Sequence, residues 1–414
     1  MAFSRMAVTP VTSSGEFIRT NQVHSSCRTP KVLPKPLKYE QAMPRVSQLT
    51  ELAKRAATEV GFDLAGVAGI SDYPELDYFA NWIADGLHGE MRYMESRDAE
   101  GRLKRASLKH AAPWAKSVIV CAVNYNTAQP YSTELGYSTK SPDSTRANGT
   151  RTGWISRYAW SHRDYHDVLL PRLREVEARL KQQAGDIRTW CYVDTGPVIE
   201  RVLAKYAGVG WVGKNTCIIN QQLGSWLFLG VILTSLELEP DIPAADRCGT
   251  CTRCLDACPT DAFQAPRKLN ASRCISYLTI EKRGAIPEDQ REGIGQHVYG
   301  CDICQDVCPW NNQKGQKAPV TPMLDLQPRE RLVAPDLEWL ATISEEDFRE
   351  TFRGSPMKRA KRTAIRRNAV VAMGNSGDLS FAPTLRFISE TDEDAVVREH
   401  AEWALHRLRS LGSQ

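Results

Sequence analysis

The sequence predicts a layered α/β domain, followed by a cysteine-rich metal domain and a C-terminal α-helical repeat of the HEAT-like kind. Apolar β-branched runs alternate with helical patterns from residue 46 to residue 240, which is typical of layers of sheet and helix. Eight of the twelve cysteines lie between Cys248 and Cys308. Small and apolar residues near the C-terminus recur 32 positions later, as Ala369 does in Ala401, which is typical of a helical repeat.

Composition excludes several classes of protein. The 414 residues are 42% hydrophobic and carry a net charge of only +4, so any nucleic-acid surface must come from local clustering of charge. No run approaches the ~20 apolar residues of a membrane helix, so no membrane partner is predicted. A secreted disulfide scaffold would be short, and these clustered cysteines indicate metal binding in a reducing compartment, the cytoplasm.

The first 45 residues are predicted to form a disordered tail. They are rich in Ser, Thr, Pro and Val, and their two acidic residues are Glu16 and Glu40. Such a segment has too little apolar content to pack. It also lacks the apolar core of a signal peptide.

The α/β domain is predicted over residues 46–240. Its helices, which follow the helical period of apolar residues, are predicted over residues 49–60, 74–84, 166–183 and 198–206. Its strands, which are short apolar runs, are predicted over residues 63–69, 117–125, 189–193 and 226–234.

The clustered cysteines predict a ferredoxin-type domain over residues 241–312. The first run has the spacing C-x2-C-x2-C-x3-C-P, from Cys248 to Pro259, which is the bacterial ferredoxin pattern for [4Fe–4S] clusters. The second run, from Cys301 to Pro309, lacks its first cysteine, and Cys274 is the only nearby replacement. The pattern therefore predicts two [4Fe–4S] clusters.

In this pattern the fourth cysteine of each run ligates the other cluster. The predicted ligands of the first cluster are Cys248, Cys251, Cys254 and Cys308. Those of the second cluster are Cys258, Cys274, Cys301 and Cys304. A pair of zinc sites is the alternative, because C-x2-C also occurs in zinc ribbons, but both C-x3-C-P endings favour clusters. Two adjacent clusters would form a path for electrons.

A basic run opens the C-terminal part, in which residues 313–350 are predicted to be a linker and residues 351–414 the helical repeat. Residues 353–367 contain no acid. The basic residues proposed to bind a polyanion are Lys358, Arg359, Lys361, Arg362, Arg366 and Arg367. Three of them stand four apart and are predicted to share one helical face. Such a run is usually a solvated face, but its place beside a redox domain favours phosphate binding.

From about residue 46 to residue 410 the chain resembles the epoxyqueuosine reductases, which perform the last step of queuosine biosynthesis in tRNA. The motifs that carry this resemblance are His88-Gly-Glu-Met91, residues 156–166, Val193-Asp-Thr-Gly-Pro197, Glu200-Arg201, residues 207–215, the eight cysteines, and residues 273–279 and 299–305.

The resemblance implies a base-off cobalamin in the α/β domain, reduced through the two clusters, and a tRNA whose modified base lies over the cobalt face. Asp164 and His166 begin a pattern like the histidine-ligand loop of some cobalamin enzymes, but Leu169 replaces its glycine. His166 is therefore predicted to be a surface histidine, which agrees with base-off binding.

The resemblance also implies the site residues. Asp194 is the implied proton donor, and the alternative from the sequence is a helix N-cap before Thr-Gly-Pro. To donate at neutral pH its pKa must be raised. The implied cobalamin contacts are Arg105, Ser156, Arg157, Tyr158, Asp194, Lys214 and Asn215.

Two other functions compete with this one. A corrinoid reductive dehalogenase would share clusters and cobalamin, but the basic run favours a large polyanionic substrate. A ferredoxin-like electron carrier would leave the whole α/β domain without a role. The predicted partners are tRNA carrying epoxyqueuosine in its anticodon loop and an unidentified low-potential reductant, and the chain is expected to be a monomer.

Overall fold

A computed structural model describes residues 45–137, 151–313 and 315–412. The tail predicted over residues 1–45 lies, except for Arg45, outside the described residues. Within them the helices are α1 (Val46–Glu59), α2 (Pro74–Ala84), α3 (Leu108–Ala111), α4 (Tyr165–Ala184), α5 (Glu200–Tyr206), α6 (Arg253–Asp256), α7 (Ile275–Ile280), α8 (Glu288–Arg291), α9 (Ile303–Asp306), α10 (Leu337–Thr342), α11 (Glu345–Thr351), α12 (Lys361–Asn375), α13 (Ala382–Thr391) and α14 (Ala395–Gly412). The strands are β1 (Leu64–Gly69), β2 (Ser117–Asn124), β3 (Trp154–Ile155), β4 (Thr189–Tyr192), β5 (Trp211–Val212), β6 (Ile218–Ile219), β7 (Leu227–Thr234), β8 (Phe263–Ala265), β9 (Lys268–Leu269), β10 (His297–Tyr299), β11 (Asn312–Gln313) and β12 (Gln316–Lys317).

A four-stranded sheet with the order β1–β2–β7–β4 forms the centre of the α/β part. The four predicted strands and four predicted helices all exist and end within a few residues of the predicted limits. Every pair in the sheet is antiparallel. Alternation of strands and helices along the chain predicts layers, but strand direction depends on which end of the sheet each connection returns to, and the sequence does not reveal this.

Helices cover both faces of this sheet. Every residue of β2 is buried, and alternate side chains point to opposite faces. Ile119 and Val123 belong to the core formed with α1 and α4. Val118 and Val120 belong to the core formed with α2, α3 and α5. The α/β part therefore has three layers, as the sequence predicts.

A short parallel pair of strands joins the cysteine segment to the α/β part. In this pair β10 lies beside β3, with His297 opposite Trp154. The strand β10 then leads into Gly300 and Cys301. Gly300 has φ 70°, and a Cβ there would lie 2.5 Å from the Cβ of Ser156, so a larger residue would push the two segments apart.

The C-terminal part is helical, and its main contact joins α12 to α14. The repeated residues are buried in one core, including Ile365 and Ala369 on α12 and Val397 and Ala401 on α14. The 32-residue recurrence thus marks two helices that pack on each other, whereas the HEAT-like character stays a prediction. Among the described residues no helix has the length and apolar content to span a bilayer.

Candidate active site

The first predicted set of cysteines lines one cavity. Cys248, Cys251, Cys254 and Cys308 surround a space of about 270 Å³. Within the described residues, no three His, Cys, Asp or Glu side chains converge tightly enough for a single metal ion. The cavity brings the distant Cys308 beside the first three cysteines, as the crossing pattern predicts.

The second predicted set is more deeply buried. Cys301 lies near Cys274 and Cys258, and Cys304 lies near Cys301 and Cys274. Burial, followed by the neighbouring thiols, raises the pKa of Cys301, and burial also raises the pKa of Cys274. Buried thiols such as these become thiolates when they bind a positively charged metal centre. The structure therefore brings together both predicted sets, and their ligation stays a prediction.

Two predicted cobalamin contacts lie on the cysteine loops instead. The Nζ of Lys214 donates to the backbone oxygens of Gly249 and Cys251, over 2.7 and 2.9 Å. The Nδ2 of Asn215 donates to the backbone oxygen of Cys304 over 3.1 Å, and its Oδ1 accepts from the amide of Cys217 over 3.2 Å. Their polar atoms hold the cysteine loops in place, and their contact with cobalamin stays a prediction.

The side chain of Arg157, another predicted cobalamin contact, lies inside the protein. Its guanidinium is 2% exposed and donates to the backbone oxygens of Thr127, Gln129 and Pro130. It also lies 4.8 Å from the centre of the Trp160 ring. The cation therefore holds a loop inside the protein, and its contact with cobalamin stays a prediction.

Ser156 is also buried, and its hydroxyl donates to Asp302. The other oxygen of Asp302 accepts from the amide of Arg157 over 2.7 Å and from the Trp154 indole over 3.1 Å. Because Asp302 directly follows Cys301, this network ties the Ser156 segment to the second cysteine set. The side chain of Ser156 is engaged in the protein interior, and the contact of this residue with cobalamin stays a prediction.

Asp194 stands exposed on the loop after β4, with φ 54°. This left-handed conformation is uncommon for a residue other than glycine. Its Oδ2 accepts a hydrogen bond of 3.0 Å from the hydroxyl of Tyr165. The N-cap of the next helix, α5, is Ile199, so the alternative role of Asp194 as a helix cap is wrong.

Phenols connect the surroundings of Asp194 to the cysteine segment. The rings of Tyr165 and Tyr158 lie 6.2 Å apart, and the hydroxyl of Tyr158 donates to that of Tyr299 over 3.0 Å. Tyr299 donates in turn to the backbone oxygen of Pro356 over 2.8 Å. Burial raises the pKa of all three phenols, so they stay protonated donors at neutral pH.

Arg105 anchors the loop that carries Asp194. One guanidinium nitrogen donates to the backbone oxygen of Tyr93 over 2.7 Å, and the other donates to that of Gly196 over 3.0 Å. The Tyr93 ring beside it is 43% exposed. Of the predicted cobalamin contacts, Arg105, Tyr158 and Asp194 are the three that surround one region.

Sequence reasoning missed an acid in this region, Glu200. Burial, and then the charge of Asp194, raises the pKa of Glu200 to about 7. Its position in the Glu200-Arg201 motif was the signal that could have indicated a role, but spacing alone gave no reason to prefer it over other glutamates. His166, by contrast, binds Asp164 over 2.7 Å, as predicted for a satisfied histidine.

The basic run does not form one continuous face. Lys358 and Arg359 lie in a 3-10 helix, Pro356–Ala360, and α12 begins only at Lys361, whose φ is 65°. The predicted alignment of Lys358 with Arg362 and Arg366 is therefore wrong.

Two of the predicted phosphate contacts are buried. Arg366 forms an ion pair with Asp392 and also donates to the backbone oxygen of Ala341 over 2.9 Å. Arg367 is 1% exposed and donates to the backbone oxygens of Leu278 and Gly284. Both cations hold helices together, which argues against phosphate contact, and their assignment to tRNA stays an untested prediction.

The remaining basic residues differ in their exposure. Arg362 is partly buried, bonded to the backbone oxygen of Ile343 and paired with Glu393 over 2.9 Å. Arg359 is exposed and paired with Glu281. Lys358 and Lys361 are exposed as well. The charge of Asp194 acts on Arg359, and Lys358 acts on Asp164 next to Tyr165, so Arg359 and Lys358 lie near the exposed Asp194.

Two sequence families match this chain. One is described as "4Fe-4S double cluster binding domain" and matches residues 247–311. The other is described as "Epoxyqueuosine reductase QueG, DUF1730" and matches residues 105–195. The cysteine segment thus identifies an iron–sulfur protein, and the second match includes the loop of Asp194.

Individual relatives cover nearly the whole chain. An epoxyqueuosine reductase of Xanthomonas campestris pv. campestris is 37% identical over 368 residues, which are 88% of this chain and 97% of the relative. One of Synechocystis sp. is 42% identical over 290 residues, which are 70% and 92%. A crystal structure of epoxyqueuosine reductase with a tRNA-Tyr epoxyqueuosine-modified tRNA stem loop matches with a TM-score of 0.75 and 34% identity, covering 88% of this chain and 91% of that one. The chain belongs to the epoxyqueuosine reductase family, whose members are oxidoreductases.

Proposed function

We propose that the protein reduces epoxyqueuosine to queuosine in tRNA, the last step of queuosine biosynthesis. The observation that carries this proposal is the exposed acid Asp194, which lies beside phenols that lead to the strand before Cys301. The reaction removes the epoxide oxygen as water and leaves a carbon–carbon double bond, so it consumes two electrons and two protons. An acid next to an electron path is what this chemistry requires.

The electrons are proposed to pass through two [4Fe–4S] clusters. Cys248, Cys251, Cys254 and Cys308 would hold the first, and Cys258, Cys274, Cys301 and Cys304 would hold the second. The second set lies nearer to the region of Asp194, because Cys301 follows the strand of Tyr299, whose hydroxyl accepts from that of Tyr158 over 3.0 Å. We therefore infer that the first cluster accepts electrons from a low-potential reductant and the second passes them on.

A base-off cobalamin is proposed to bind beside Asp194. Arg105 would offer the N–H groups that its bonds to Tyr93, Ser96 and Gly196 leave over. Tyr158 would offer its ring and its acceptor oxygen, because its proton goes to Tyr299. His166 is engaged with Asp164, which supports binding without a histidine ligand. When bound, this cofactor supplies a strongly reducing cobalt centre for the epoxide.

The side chains of the protein would position the substrate and supply protons. Asp194 donates a proton to the epoxide oxygen, which otherwise leaves as an alkoxide. Tyr165 holds Oδ2 of Asp194 and so orients the carboxyl group. Arg105 restrains the loop at Gly196, which limits the movement of Asp194.

The substrate is proposed to be a tRNA whose anticodon loop presents the modified base, because RNA loops can splay out bases for recognition. Arg359, Lys358 and Lys361 would contact its phosphates on the side where Asp194 opens. A solved relative bound to a modified tRNA stem loop supports this partner. We propose a cytoplasmic monomer, since exposed clusters and thiols persist in a reducing compartment.

Turnover of the modified nucleoside tests the function. Anaerobically purified protein, reconstituted with iron, sulfide and cobalamin, is incubated with epoxyqueuosine-containing tRNA and a strong reductant, and the nucleosides are then analysed. Conversion to queuosine supports the proposal. An electron carrier without catalysis would show iron–sulfur absorption but neither corrinoid bands nor queuosine, and a dehalogenase would leave the tRNA unchanged.

A further inference from the structure

Glu200 is a partly buried acid that has one buried, unpartnered oxygen and lies near the exposed acid Asp194. It is the first residue of α5, and its Oε1 atom is buried with no hydrogen-bond partner among the described residues. Asp194 is the neighbouring negative charge that acts on it, and Arg105 and Arg201 are the neighbouring positive charges. These are the charged groups that face Glu200 from the β4–α5 loop, from the segment before α3, and from α5 itself.

Among the described residues, neither arginine forms a salt bridge with the carboxyl group of Glu200. Arg105 donates to the backbone oxygens of Tyr93 and Gly196. Arg201 donates to the backbone oxygen of Thr216 over 3.2 Å. A buried structural carboxylate is normally paired or fully hydrogen-bonded, because an isolated buried charge is costly. A carboxyl with an unsatisfied oxygen in such a place is better suited to hold a proton.

The proposed reaction creates a need for such a proton. One carbon–oxygen bond of the epoxide breaks as electrons enter, and the oxygen takes a proton to become a hydroxyl. The second bond then breaks, the hydroxyl takes a second proton and leaves as water, and the carbon–carbon double bond forms. Two electrons and two protons are consumed, and the electrons come from the clusters. Asp194 carries one transferable proton, so it must be reprotonated within each turnover.

We propose that Glu200 supplies the second proton by reprotonating Asp194, directly or through one water molecule. This inference rests on the proposed function and adds a second acid to it. It agrees with the pKa of Glu200, which burial and the charge of Asp194 raise to about 7, so that a large fraction of Glu200 is protonated near neutrality. It also agrees with the burial of the two acids, since Oε1 of Glu200 is buried without a hydrogen-bond partner while Asp194 is exposed.

The pH dependence of turnover distinguishes a proton donor from a structural residue. In the wild type, turnover is expected to fall as pH rises through about 7, because Glu200 loses the proton that it supplies. Glu200→Gln keeps the size and polarity of the side chain but has no transferable proton. It is expected to lower turnover by about 10²-fold at pH 7 and to abolish the fall near pH 7, with unchanged cluster and corrinoid spectra. Glu175→Gln, which removes an exposed charge from α4, is the matched control and should behave as the wild type.

A second measurement does not depend on turnover. Infrared spectra recorded as a function of pH should contain a protonated-carboxyl band that disappears with a midpoint near pH 7 in the wild type and in Glu175→Gln. The difference between the wild-type and Glu200→Gln spectra should contain this band, because other buried carboxyls such as Asp306 contribute equally to both proteins and cancel. If the glutamine variant does not fold, Glu200→Asp replaces it, and it should keep a titrating band and a pH-dependent turnover.

Each outcome has a defined consequence. A wild type that makes no queuosine contradicts the proposed function itself. A wild type that makes queuosine while Glu200→Gln shows equal turnover, or a constant loss with the same pH profile, contradicts only the role of Glu200. Absence of the titrating band from the wild type contradicts it as well.

Discussion

The Tyr165 hydroxyl donates a hydrogen bond of 3.0 Å to Oδ2 of Asp194. The Tyr165 ring lies against Phe228, with 4.4 Å between ring centres and 6° between their planes, so the donor is held from inside the core. Burial, and then the charge of Asp194, raises the pKa of Tyr165, so the phenol remains a donor. One oxygen of Asp194 is thereby oriented, which would leave the other for the proposed substrate.

Asp194→Asn should leave both clusters and the corrinoid bound but lower turnover by about 10²- to 10⁴-fold. The amide keeps the size of the carboxyl group and loses the transferable proton. The measurement is queuosine formed per enzyme, together with absorption spectra. Asp186→Asn is the control, because Asp186 is an exposed aspartate before the other end of β4. Near-normal turnover of Asp194→Asn would exclude its role as proton donor.

Cys274→Ala should remove one cluster and leave the other. The wild type is expected to hold about eight irons from two four-iron clusters, and the variant about four. Cys274 lies near Cys301 and Cys304, whereas Cys248 and Cys308 share a separate cavity. Iron and acid-labile sulfide are measured after anaerobic reconstitution. Cys191→Ala is the control, since Cys191 lies on β4 outside both sets. Full iron content in Cys274→Ala would overturn the ligand assignment.

Local patterns predict the elements of this fold well, but they do not predict long-range pairing. The run at β2 is apolar on both faces, so it could be identified as a central strand from sequence. The spacing of the cysteines predicts that Cys308 joins Cys248, because the crossing pattern is a property of the motif. The contacts of Arg366 and Arg367 could not be predicted from the sequence. Their partners are Asp392 and the backbone near Gly284, which only tertiary packing brings close.

Asp194 and Glu200 show the same limit within the site. A family motif indicates that both matter, but the roles differ through burial, because one acid is exposed and the other has a buried oxygen. The helix-cap alternative for Asp194 fails because α5 starts later than a cap at this residue would require. Neither point follows from residue type or spacing.

The free energy of unfolding should decrease as the pH is lowered, partly because His400 is buried in its neutral form. Its Nε2 accepts from the amide of Ile286 over 3.1 Å, and its Nδ1 lies 2.7 Å from the backbone oxygen of Val396, an arrangement that needs a neutral ring. Burial, and then the charge of Arg291, lowers its pKa to about 3. Below the unfolded pKa of about 6.5 the unfolded state binds a proton that the folded state does not, so this contribution is complete above that pH and is lost as pH falls toward 3.

The expected slope is about 1.4 kcal/mol per pH unit for this histidine between pH 6 and pH 4. His400→Asn should therefore unfold with a smaller dependence on pH than the wild type, whatever its absolute stability. Denaturant unfolding at several pH values measures this difference. Equal slopes for the two proteins would mean that His400 is protonated in the folded state.

Arg366→Met should destabilise the fold rather than weaken tRNA binding directly. Its side chain is 8% exposed and that of Asp392 is 4% exposed, so the substitution leaves a buried carboxylate without its partner. Breaking a buried pair in this way typically costs about 3–5 kcal/mol. The double variant Arg366→Met with Asp392→Leu should recover part of that loss, because no unpaired charge remains. Unfolding free energies measure both, and an unchanged stability of Arg366→Met would contradict the buried pair.

Neutralising Lys358 and Lys361 should weaken tRNA binding without unfolding the protein. Both side chains are exposed, and Lys358 acts on Asp164 near the start of α4. If each contacts one phosphate, the double change to Ala should reduce the salt dependence of tRNA affinity by about one to two phosphate contacts. Affinity is measured against salt concentration for both proteins, with cluster spectra as the check on folding. Lys109→Ala is the control, because Lys109 is an exposed lysine at α3 that pairs with Asp72. Equal affinity and equal slope in the double variant would mean that this surface is only solvated and that tRNA phosphates bind elsewhere.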